Sequence, residues 1–139
     1  MLRVTADTNI FISGLNFRGK PFELLTLARA GKIELALSDA IMTEIKRVLS
    51  LKFKWPDEDI LAVEKQILSF TRHVDPQQPV DLVKEDPTDN AILECALAAR
   101  SDVVVTGDKH LLKFAEFGST RILNVADFLE DLARGTQGR

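Results

Sequence analysis

Short apolar runs of strand length alternate along this chain with longer segments of helical period, and that alternation restricts the fold more than any other feature. Residues 3–6, 33–37, 103–106 and 121–125 read as strands. Residues 21–30, 57–70, 87–99, 109–114 and 126–133 read as helices, and another carries Ile41, Met42, Ile45, Val48 and Leu49 behind a Ser38 or Asp39 cap. Pro21 suits a first helical turn and Gly31 a stop. Strands separated by helices of this length must pair in parallel, which predicts an α/β fold built as a three-layer sandwich. The uninterrupted Val103-Val104-Val105 run fits a central strand covered on both faces. Residues 75–86, with two prolines and two glutamines, form a loop too short to divide the chain. The expectation is one domain over residues 1–133 and a disordered tail over 134–139.

Composition removes several classes of function. No apolar run approaches the roughly 18 residues needed to cross a bilayer, and Met1 to Val4 runs straight into a strand without a signal-peptide pattern. Cys95 is the only cysteine, which excludes an internal disulfide and a cysteine-based zinc site. A cytoplasmic protein with no membrane association is expected. The net charge of −3 and the pI near 5.4 do not advertise a phosphate-gripping surface. A nucleic-acid role must therefore use local cations, or metal ions that turn acidic ligands into a positive site.

In parallel sheets, sites form beyond the carboxyl ends of strands. Asp7 follows the first strand there, and Asp108 lies two residues past the strand ending at Thr106. Either alone reads equally as a turn residue; two together favour a site. Asp86-Pro87-Thr88-Asp89 opens a helix, where Asp86 suits a cap and Asp89 sits in the positive first turn, placements compatible with ligation. Glu44 falls beside the apolar stripe of its helix, free to reach solvent or the crevice. Converging carboxylates need a cation, and hard oxygen donors suit Mg²⁺ or Mn²⁺, one ion or two. The chemistry that follows is phosphoryl transfer, most simply phosphodiester hydrolysis.

Three stretches carry a resemblance to a known family: Val4-Thr5-Ala6-Asp7-Thr8-Asn9-Ile10-Phe11-Ile12-Ser13, Asp86-Pro87-Thr88-Asp89-Asn90, and Val103-Val104-Val105-Thr106-Gly107-Asp108-Lys109. In this order, with Glu44 between the first two, they resemble PIN domains, especially the nuclease toxins of prokaryotic toxin–antitoxin modules. The resemblance implies a mainly parallel, five-stranded PIN-like sheet flanked by helices, and catalytic, metal-binding acids at Asp7, Glu44, Asp89 and Asp108. It implies an endoribonuclease using Mg²⁺ or Mn²⁺, a homodimer, and a cognate antitoxin reaching into the acidic groove. Thr8, Asn9 and Thr106 would be supporting polar residues. The chain departs from many relatives at His110, where a further Asp is common; a solvent-facing role and a phosphate or metal-tuning role both stand.

Lys109, adjoining Asp108, is the nearest candidate for a phosphate contact. Trp55 could stack a base or pack at a helix start. Two rival functions remain. A haloacid-dehalogenase-type phosphatase also begins with a strand-end Asp, but it wants a second Asp where this chain has Asn9 and another where it has Leu112. A non-catalytic PIN-like module would bind RNA or a protein without cutting.

Overall fold

A computed structural model describes residues 1–135. Along the chain the elements are β1 (Arg3–Ala6), α1 (Thr8–Asn16), α2 (Lys20–Arg29), β2 (Glu34–Leu37), α3 (Asp39–Leu51), α4 (Asp57–Phe70), β3 (Thr71–His73), α5 (Thr88–Ala99), β4 (Val103–Val105), α6 (Lys109–Leu112), β5 (Glu116–Phe117), β6 (Thr120–Leu123) and α7 (Val125–Ala133). The strands form one sheet in the order β3-β2-β1-β4-β6-β5. All neighbours are parallel except β5, which pairs antiparallel with β6. Five parallel strands match the number that the family resemblance implies, and β5 adds a two-residue edge turned back through Gly118 at φ +60°.

Every residue of β4 is buried, as are Val4, Thr5 and Ala6 of β1 and Leu35, Ala36 and Leu37 of β2. A strand buried at successive positions has both faces covered, which makes the sheet the middle of three layers. Helix α5 lies against β1, β2 and β4, while α1 packs on α2 and α3, and α2 on α7. Phe11, Leu24, Leu25, Ile45, Leu49, Ile67 and Leu93 are fully enclosed between these layers. Burying each contributes about 1.5–3 kcal/mol before the entropy of ordering is set against it.

The chain departs from the sequence expectation at three elements. Residues 7–9 look turn-prone, yet helix α1 starts at Thr8 because the Asp7 side chain accepts from the Ile10 amide and closes the first turn. β3 carries no strand signal in the sequence because its polar Thr71-Arg72-His73 lies at the sheet edge, half-buried or exposed. β5 is too short for any period to register. Ser38, one of two possible caps, is the residue that caps α3. The tail expected at 134–139 lies outside the described residues from 136 onward; Arg134 and Gly135 close α7 through bonds to Glu130 and Leu132 carbonyls. Among the described residues no helix is long and apolar enough to cross a membrane.

The strand order places the site. From β1 the chain winds outward through β2 to β3, then returns to lay β4 on the other side of β1. Such a reversal opens a crevice at the carboxyl ends of the two central strands. β1 and β4 pair with Ala6 opposite Val105, so the residues that follow them, Asp7 and Thr106, emerge side by side.

Candidate active site

The crevice at this switch point has a volume of about 250 Å³ and is lined by Asp7, Glu44, Asp86, Asp89 and Asp108, together with Thr8, Asn9 and Thr88. Apolar walls come from Ile41, Val48 and Ile92. The sequence-predicted acids therefore share one cavity, but they engage it differently.

Asp7 is 5% exposed and is gripped at both oxygens. Oδ1 accepts from the Ile10 amide at 3.0 Å, and Oδ2 accepts from the Thr106 hydroxyl. Burial pushes its pKa above the ordinary carboxylate value, opposed by these hydrogen bonds and reinforced by the Asp108 charge. Thr106 in turn accepts from the Asp108 amide at 3.0 Å, so one hydroxyl ties the ends of β1 and β4 together. Asp108 Oδ1 accepts from the His110 amide at 2.8 Å and caps α6.

Asp89 stands in the first turn of α5 at 7% exposure, and among the described residues its Oδ2 has no hydrogen-bond partner. Burial, then a hydrogen bond with the Asp108 carboxyl and the charges of Asp108, Asp86 and Asp7, push its pKa up to about 8. One carboxylate oxygen each of Asp86, Asp89 and Asp108 lies within 4.8 Å of the others. Oxygens this close could all serve one divalent cation. The all-oxygen donor set and the orphaned Asp89 oxygen fit a hard divalent cation.

Glu44 lines the crevice, but its carboxylate is held by Arg47: Nε to Oε1 at 3.0 Å and Nη2 to Oε2 at 2.7 Å. The Arg47 hydrogen bond holds the Glu44 pKa below the usual range. Thr8 is half-buried and Asn9 exposed at the crevice wall. Lys109 is exposed and His110 half-buried, both outside the lining. Trp55 is half-buried with its indole N–H donating to Asn16 Oδ1 at 3.2 Å, the packed arrangement of the two that its sequence position allows.

The sequence makes Asp86 chiefly a cap, and its Oδ1 accepts from the Thr88 amide at 3.2 Å and hydroxyl at 2.6 Å. Its place in the acidic trio was missed. The available signal is proximity in sequence: Asp86 stands three residues before Asp89, just ahead of the helix that carries it.

The sequence pattern of the PIN domain matches residues 3–110. No curated protein sequence matches the chain. Among solved structures, the chain is similar to the VapBC2 complex from Rickettsia felis bound to a DNA fragment from its promoter, with TM-score 0.62, 17% identity, and coverage of 88% of this chain and 98% of that one. It is also similar to the DNA-bound VapBC from Salmonella typhimurium, with TM-score 0.60, 21% identity, and coverage of 90% and 99%. At these identities the likeness is one of fold, and it agrees with the mainly parallel sheet. With a match spanning residues 3–110, the chain belongs to the PIN domain family.

Proposed function

We propose that this PIN domain is a Mg²⁺- or Mn²⁺-dependent endoribonuclease, the toxin of a toxin–antitoxin pair. The observation that carries the nuclease assignment is the buried, unpartnered oxygen of Asp89, a residue whose carboxyl groups with those of Asp86 and Asp108 at the switch point. Such a group is costly unless a cation completes it. Asp89 and Asp108 would hold the ion. Bound there, a divalent ion supplies Lewis acidity toward a phosphoryl oxygen and lowers the pKa of a coordinated water.

The remaining residues position and neutralise. Thr106 and the Ile10 amide fix the Asp7 carboxylate on the crevice floor, where it can order the attacking water. Thr8 and Asn9 offer polar groups along the same wall. Glu44 holds Arg47 beside the crevice, where a guanidinium can meet a backbone phosphate. Lys109, exposed next to Asp108, is a second candidate for that contact. RNA as the polymer, an antitoxin partner, a homodimer and a cytoplasmic setting rest on the family resemblance, and the likeness to two VapBC complexes supports the partner.

The test is cleavage of RNA by the purified chain with Mn²⁺, Mg²⁺ or chelator, beside Asp7→Asn and Asp89→Asn. Cleavage that needs the metal and fails in both variants supports the assignment. Cleavage retained in both variants overturns the site. RNA bound but never cut by the wild type identifies a non-catalytic module.

A further inference from the structure

We propose that Asp86, in place of Glu44, completes the inner carboxylate set of the cation site with Asp89 and Asp108, and that Asn90 positions it. The inference rests on the metal-site assignment above and changes its membership.

Distance and availability separate the two acids. An Asp86 oxygen lies within 4.8 Å of oxygens from Asp89 and Asp108, and the Glu44 carboxylate is not part of that group. Both Glu44 oxygens bond to Arg47, in the bidentate geometry that holds a carboxylate most firmly. Both bonds to Asp86 come from Thr88 and fall on Oδ1, leaving Oδ2 to a cation. Asp89, itself one of the three, is buried with its Oδ2 lacking a partner among the described residues, a sign that something is to be bound at this point.

Asp86 sits at the end of a loop, and loops deliver ligands poorly unless they are tied down. This one is tied to the helix that carries Asp89. Asn90 is buried, and its Oδ1 accepts from the Leu82 amide at 3.0 Å and the Val83 amide at 2.8 Å. Its Nδ2 donates to the Val83 carbonyl at 3.0 Å. One turn further along α5, Glu94 accepts from the Val80 amide at 2.9 Å. Val83 itself is sunk in the core at 1% exposure, and Glu85 pairs with Lys113 at 2.9 Å. Adjacent residues of one helix thus present Asp89 and clamp the strap bearing Asp86. The positive end of α5 partly offsets the charge gathered there.

The test is Mn²⁺ affinity, read by electron paramagnetic resonance of the free ion, for the wild type, Asp86→Asn, Glu44→Gln, Asn90→Ala and the Asp86→Asn/Asn90→Ala double variant. All are measured well below melting temperatures taken by circular dichroism. Asparagine at 86 keeps the acceptor for the Thr88 amide, so the helix start survives. Asp86→Asn should weaken Mn²⁺ binding by about tenfold or more, and Asn90→Ala by a similar factor, the scale found for ligand-orienting groups. Glu44→Gln should change it by less than about threefold, and the double variant should bind like Asp86→Asn alone. Unchanged affinity in Asp86→Asn, or an equal loss in Glu44→Gln, overturns the assignment of Asp86. Additive losses in the double variant overturn the positioning role of Asn90. A wild type that binds no Mn²⁺ overturns the metal-site assignment itself, a result distinct from the others.

Discussion

The Thr106 hydroxyl donates to Asp7 Oδ2 while it accepts the Asp108 amide, so a side chain on β4's exit fixes a carboxylate on β1's exit. Both Thr106 and Asp7 are buried, where an unpaired polar atom is costly. The pairing makes Thr106 a joint of the crevice as well as a residue of the core.

Thr106→Val keeps the shape and removes the hydroxyl. It leaves Asp7 Oδ2 and the Asp108 amide without this partner, and should cost about 1–3 kcal/mol in urea denaturation. Thr106→Ser should recover most of that loss and most of the nuclease activity. Equal stability in Thr106→Val and wild type would show the bond to be dispensable.

Asp7→Asn should abolish cleavage while leaving the fold intact. Asparagine caps a helix as well as aspartate, so the Ile10 amide keeps its acceptor. Burial already raises the Asp7 pKa, and a neutral amide avoids that desolvation. We expect an unchanged or higher melting temperature in chelator, with activity down by about a hundredfold or more. A collapse in melting temperature would mark Asp7 as chiefly structural.

Asp89 makes the metal-free protein pH-sensitive in an unusual direction. Its folded pKa of about 8 stands above the unfolded value of 3.8, so between these limits the folded state binds the extra proton. Stability is therefore full below pH 4 on this account and falls as pH rises toward 8. Asp7, also raised, adds to the trend; Glu44, lowered by its pair with Arg47, changes stability only below its ordinary value of 4.5 and so leaves this window unaffected. Thermal melts in chelator should drop between pH 5 and pH 8, and saturating Mn²⁺ should reverse that drop. A flat profile in chelator would mean that Asp89 stays ionised without a cation.

Much of this arrangement was legible beforehand, for reasons that can be named. Val103 to Val105 fits a doubly covered strand and the intervening helices imply parallel pairing, which puts Asp7 and Asp108 at one end of the sheet once β1 and β4 are neighbours, as they are. Asp89 was legible because a helix start is readable from Asp-Pro-Thr-Asp. The partners of those acids were not. Whether Glu44 faces the crevice or Arg47 is settled by side-chain rotamers three residues apart on an exposed helix face. The Asn90 clamp depends on where a loop of irregular backbone returns, which no period encodes. Edge strands β3 and β5 were lost for the same reason: their pairing is imposed by a neighbour and not by their own pattern.

Gly14 tests the packing that carries Asp7. It is buried in α1, where replacing glycine by alanine in a helix ordinarily stabilises by about 0.5–1 kcal/mol. Here a methyl would stand 2.6 Å from Leu25 Cδ1 and 3.0 Å from the Pro21 carbonyl oxygen. Leu25 is fully buried and the Pro21 oxygen is backbone, so neither yields without moving α2 away from α1. Overpacking of this kind costs about 1–3 kcal/mol and outweighs the helix gain. Gly14→Ala should therefore lower stability by roughly 0.5–2 kcal/mol in denaturant titration, the difference of those two effects. Asp7 sits at the opposite end of α1, so activity per folded molecule should hold at moderate temperature. A more stable Gly14→Ala protein would mean that α1 and α2 pack less closely than 2.6 Å implies.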